Sequence, residues 1–139
     1  MNRLLPIFLG FFVLVSCNGK SSPKTNVAEV SGPVITNLDG LKTSALGKNI
    51  TISGKAPDII YEHPVLFIPV DDKKMNKSME YSYLDLADGY QLTIYSKDKI
   101  PCTAKAVISG RLEEVSGLNK GGEEFSEFYL IAGKWECME

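Results

Sequence analysis

The chain has 139 residues, 15 Lys and Arg against 17 Asp and Glu, and 44% apolar residues, a balance that fits one globular domain with appendages rather than two domains. A formal charge of -2 supplies no clustered positive surface for a polyanion, which excludes nucleic acid as a first choice of partner. One His and three Cys are too few for a structural zinc site built from ligand pairs, and no cofactor or metal is expected.

The chain opens with Arg3 and an uncharged apolar run, Leu4 to Val15, that ends at Ser16-Cys17. At 1.5 Å per residue that run spans roughly 18 Å against the ~30 Å of a hydrocarbon core, so it predicts a cleaved signal segment rather than a permanent span. Leu14-Val15-Ser16-Cys17 resembles the bacterial lipobox: an aliphatic residue, a tolerant position, a small residue, then Cys. The resemblance implies that residues 1–16 are removed and that Cys17 becomes a lipidated N-terminus, carrying a diacylglyceryl group and a further acyl chain such as palmitate. Two or three acyl chains, at ~0.8 kcal/mol per buried CH₂, anchor a protein to a membrane where one chain does not. Asn18 follows the Cys, which by similarity to Gram-negative lipoproteins implies export to the outer membrane, facing the periplasm or the surface. The alternative is an ordinary secretory signal that happens to contain a Cys.

Residues 17–39 are rich in Ser, Asn, Gly, Pro and Lys without a sustained apolar period, and read as a flexible tether. Residues 40–139 then form one domain of about 100 residues, the commonest size. Asn37 to Leu46 suits a single helical turn, with Thr43 or Ser44 available as cap and Gly47 ending it. Asn49 to Gly54 alternates Ile50 and Ile52 on one face and predicts a strand. Pro64 to Val70 reads as an edge or bulged strand because its prolines remove ladder donors, and Asp71 to Ser78 as an exposed charged loop. Tyr81 to Leu86 and Tyr90 to Ser96 flank Asp88-Gly89 and predict a tight hairpin. Lys105 to Val115 places Ala106, Ile108, Gly110 and Leu112 on one face, and Phe125 to Cys137 alternates Phe128, Leu130 and Ala132 against Tyr129 and Ile131. Five or six strands and almost no helix predict an all-β barrel or sandwich.

Within this pattern, Ile50-Thr51-Ile52-Ser53-Gly54-Lys55 and Val107-Ile108-Ser109-Gly110-Arg111 repeat one phrase, hydrophobic residues at alternate positions followed by Gly and a basic residue. With the Asp88-Gly89 hairpin between them, these phrases resemble the first and fourth strands of bacterial OB-fold domains, over roughly Leu41 to Met138. The resemblance implies a small five- to six-stranded OB-like barrel. The long stretch from Ala56 to Met79 departs from a lean member of that family.

With Cys17 assigned to lipid, Cys102 and Cys137 remain, an even number suited to a disulfide in an oxidising compartment; the alternative is two buried thiols. Their midpoint falls at Asn119-Lys120, so a hairpin folded there brings them together and sets Ile108 opposite Ile131 and Leu112 opposite Glu127. His63 lies in a Pro-bounded loop and reads as an inconsequential imidazole, which leaves no triad and no expectation of an enzyme. Asp71-Asp72 and Glu123-Glu124 lack the spacing of a calcium loop. Tyr81, Tyr83, Tyr90 and Tyr95 form the candidate ligand face, by stacking, though aromatic strand residues also serve as cross-strand pairs. The expected function is a non-catalytic envelope module that binds a protein or a glycan. The alternative is an inhibitor or immunity-type lipoprotein inserting an acidic loop, such as Gly121 to Glu127, into an enzyme's cleft.

Overall fold

The computed structural model describes residues 32–66 and 79–138; the signal segment, Cys17, most of the tether and Asp71-Asp72 lie outside the described residues. Six strands make up the sheet: β1 Val34–Ile35, β2 Asn49–Lys55, β3 Glu80–Asp85, β4 Gln91–Ser96, β5 Lys105–Leu118 and β6 Glu124–Met138. Neighbours run β1-β2-β3-β4-β6-β5, and β5 pairs again with β2, so the last five strands form a ring. Every contact in that ring is antiparallel except β4 with β6, which is parallel. The chain is therefore an all-β, OB-like barrel, partly open where β2 meets β3 through the single pair Lys55↔Asp85.

The barrel interior is filled from alternate positions, as the strand period requires: Ile52, Leu84, Leu92, Ile94, Ala106, Ile108, Leu112 and Leu130 are all buried. Two glycines allow the ring to close. A Cβ on Gly54 would meet the Asp85 carbonyl oxygen at 2.5 Å, and one on Gly110 would run into the Ile131 carbonyl oxygen. Both obstacles are backbone atoms that no rotamer change can move. The glycine in each repeated phrase is thus fixed by strand approach, at the β2–β3 seam and at the β5–β6 bulge.

Helix α1, Leu38–Lys42, plugs one end of the barrel with Leu41, which is wholly buried. Its N-cap is Asn37, whose side chain accepts from Gly40 N, and Thr43 is its C-cap; the Thr43 and Ser44 hydroxyls donate to carbonyls one turn back. β1 runs parallel to β2, and both β1 and Asn37 precede Gly40, inside the stretch whose composition suggests a tether. The hairpin tip completes this end: Asp88 Oδ2 accepts from Leu38 N at 2.8 Å, and Ala87 N donates to Thr36 O. Of the Asp88-Gly89 pair, only Gly89 adopts positive φ, at 83°. The loop is a turn closed by Gly89 N donating to Leu86 O, followed by resumed pairing at Tyr90.

Two expectations about β-structure are corrected. Of the stretch Pro64 to Val70, Pro64–Leu66 is a single 3-10 turn and not an edge strand, because the Val65 amide is taken by a side-chain carboxylate instead of a ladder; residues 67–70 and the loop 71–78 lie outside the described residues. The β5–β6 register differs as well: Leu112 faces Leu130 and Ile108 faces Trp135. The turn is centred on Gly121, not on Asn119-Lys120, since Asn119 Oδ1 accepts from both Gly121 N and Glu123 N and draws those residues into the loop. Cys102 nevertheless bonds Cys137 with Cα atoms 5.1 Å apart, reaching it from the coil before β5 rather than from an opposed strand position.

Candidate functional site

The outer face of β4 carries Gln91, Thr93 and Tyr95, and all three are buried although they point away from the barrel core. Ile59 to Leu66 forms a strap that covers them. Beneath it a second apolar cluster packs Val65 and Leu66 against Tyr95, Tyr129 and Ile131. β4 is therefore buried on both faces, which explains its unbroken burial.

A buried polar network latches the strap. Glu127, on the outer face of β6, is hydrogen-bonded to His63 Nδ1 through one carboxylate oxygen, and its other oxygen accepts from Val65 N at 2.8 Å. His63 Nε2 lies 2.9 Å from Gln91 Oε1, which also accepts from Tyr61 N at 2.9 Å. Gln91 Nε2 donates to Ile59 O at 2.9 Å and to Asp85 Oδ1 at 2.7 Å. These four partners fix the amide orientation, because the reversed amide would set donors against donors at Tyr61 and acceptors against acceptors at Ile59 and Asp85. With the amide so fixed, His63 Nε2 donates to Gln91 Oε1. His63 is only 6% exposed and stacks on Tyr83 with centroids 4.9 Å apart.

His63, read from sequence as idle, is thus the centre of the strap's attachment, together with Glu127 and Gln91, which sequence reasoning missed. Both of its ring nitrogens are engaged within this network. Among the described residues no group of three metal-ligating side chains is assembled. A partial signal for the network existed: Gln91 is a polar residue at a strand position between Tyr90 and Leu92, whereas Glu127, preceded by Ser126, carried none.

The four tyrosines do not share one open platform. Tyr81 is 56% exposed and meets Tyr83 edge-on at 5.9 Å, while Tyr83 is half-buried against His63. Tyr95 lies in the covered cluster, edge-on to Tyr129, and burial pushes its phenol up to about 12. Tyr90 packs beside the barrel core, with Oη accepting from Phe128 N, and burial likewise raises its phenol to about 12. Burial, then the neighbouring Tyr81 and Glu127, raises Tyr83. The strap thus covers Tyr95 and stacks on Tyr83, leaves Tyr81 open, and presents residues of its own outward: Ile59, Ile60 and Tyr61 are 66%, 62% and 60% exposed.

The acidic loop is shorter than the sequence suggests. Glu127 is buried in β6, leaving Glu123 and Glu124 near the tip, where Asn119 Nδ2 donates to Glu123 Oε2 at 2.8 Å. Comparison with family models and with curated proteins finds no match for this chain.

Proposed function

We propose that this protein is a lipid-anchored, non-catalytic module of a bacterial cell envelope, tethered through Cys17 to the outer membrane, and that it binds a partner protein through the strap. The observation that carries the binding reading is the row Ile59-Ile60-Tyr61. Three consecutive large apolar side chains face solvent, while the Gln91 amide holds the backbone of the first and third from beneath. Contact residues held rigid before binding lose little conformational freedom on docking, and Tyr is favoured where binding energy concentrates. The envelope address is supported by the Cys102–Cys137 bond, which belongs to an oxidising compartment and leaves Cys17 as the one remaining cysteine for the lipobox.

The inhibitor reading is favoured by one feature, the Asn119-clamped turn that presents Glu123 and Glu124 as a preformed acidic tip. A photo-crosslinking side chain placed at Ile60, and in parallel at Glu124, separates the two in cells. The strap reading expects a discrete adduct from position 60 and none from 124; the reverse pattern supports the inhibitor and overturns the strap. Intact mass and membrane fractionation of Cys17→Ala test the anchor. Unchanged mass and unchanged fractionation overturn it.

A further inference from the structure

On the side of the barrel formed by β2, β5 and β6 a groove of about 710 Å³ runs between the β1 wall and the β5–β6 bulge. That volume lies within the range of small-molecule sites, roughly 300 to 1,000 Å³. Among the described residues its lining contains Arg111 and Lys134 and not one Asp or Glu, in a chain whose acids outnumber its bases, 17 to 15. Glu113 lies outside the lining and forms an ion pair with Arg111 at 2.8 Å, although Arg111 Nε makes no hydrogen bond; Lys134 makes no ion pair among the described residues. Ser109 lies opposite Lys134 and two residues from Arg111, and its Oγ shares one hydrogen bond of 2.8 Å with Thr51 Oγ1. A hydroxyl pair joined by one bond keeps a second hydroxyl proton and spare lone pairs for a ligand.

The floor is made for close approach. The bulge between Ser109 and Gly110 turns the strand locally, and Gly110 and Gly133 place bare backbone there. Bulges of this kind re-aim side chains beside binding sites. We propose that the groove is a binding site for a small anionic polyol, with the anion held between Arg111 and Lys134 and a ligand hydroxyl exchanging hydrogen bonds with Thr51 and Ser109. An acidic sugar and a glycerol phosphate headgroup share this chemistry. The inference rests neither on the lipid anchor nor on the strap.

The test is an NMR titration of the isotope-labelled domain with glucuronate, glycerol phosphate, glucose and acetate. Glucuronate or glycerol phosphate should shift the amides of Thr51, Ser109, Arg111 and Lys134 with millimolar affinity, and whichever binds tighter identifies the source. Glucose and acetate, each lacking half of the ligand, should bind about tenfold more weakly or not at all. Lys134→Gln, at an exposed position that leaves the core untouched, should weaken the acidic polyol about tenfold, and Thr51→Val should do the same. The proposal is overturned by unresponsive groove amides, by glucose or acetate binding as well as the acidic polyols, or by affinity that Lys134→Gln leaves unchanged in a variant with an intact spectrum.

Discussion

A carboxyl group hydrogen-bonded to an imidazole through one oxygen and accepting from a backbone amide with the other, as that of Glu127 is, cannot be removed without orphaning two partners. Both members of the His63–Glu127 pair have side chains only 8% exposed, so neither orphan can turn to water. Breaking a buried pair by deleting one partner costs about 3 to 5 kcal/mol, far more than an exposed pair is worth. Glu127→Ala is therefore expected to lower stability by about 3 kcal/mol or more, measured by urea denaturation. Glu127→Gln keeps an acceptor for one donor and should lose less. A loss below about 1 kcal/mol for Glu127→Ala would mean that the strap is not held by this network. His63 looked inert in sequence because a single imidazole between Glu62 and Pro64 has no local partner; its partners arrive from residues 28 and 64 positions away.

Among the elements, the long β5–β6 hairpin and the coil that precedes it are cross-linked by Cys102–Cys137, 35 residues apart in sequence. Closing a loop of that length removes denatured-state entropy worth roughly 4 kcal/mol in the chain-entropy model. Reduction, or the double replacement Cys102→Ser with Cys137→Ser, should accordingly lower the melting temperature by more than about 10 °C, since each kcal/mol moves a domain of this size by 4 to 8 °C. A melting temperature unchanged by reductant would remove the bridge from the account of stability. The pairing itself was legible by counting cysteines, but the register was not. The count assumed that bonded cysteines oppose each other across a ladder, whereas Cys137 opposes Ala106 and the Asn119 side chain sets where the chain turns. The hairpin of β3 and β4 was legible from Asp88-Gly89, yet the more consequential contact of Asp88 is with Leu38 N at the start of α1. That bond, first among the causes, holds the Asp88 carboxyl below the ordinary carboxylate range.

At the scale of the whole molecule, two phenols report on the integrity of both cores, Tyr90 beside the barrel interior and Tyr95 beneath the strap. Burial holds each neutral up to about 12, whereas in the unfolded chain a tyrosine ionises near its ordinary 10. Below pH 10 both states keep the proton and the stability is complete. As pH rises from 10 toward 12 the unfolded state gains by releasing it, and stability is lost across that window. Tyrosinate absorbance and circular dichroism recorded together should show these two phenols ionising with loss of structure. Ionisation of all six tyrosines near 10 with the fold intact would show that neither is protected.

The class of the fold followed from short-range rules. Alternating apolar residues, the Asp88-Gly89 turn and the two Gly-basic phrases specify strands, a hairpin and the sites of close approach, because each depends on residues adjacent in sequence. Tertiary structure alone decided that Ile59 to Leu66 folds back over β4, that Tyr95 is covered, that Glu127 joins His63, and that Arg111 and Lys134 flank one groove. Such outcomes depend on contacts between segments tens of residues apart, and hydrophobic periodicity says which face of a strand is apolar without saying what lies against it.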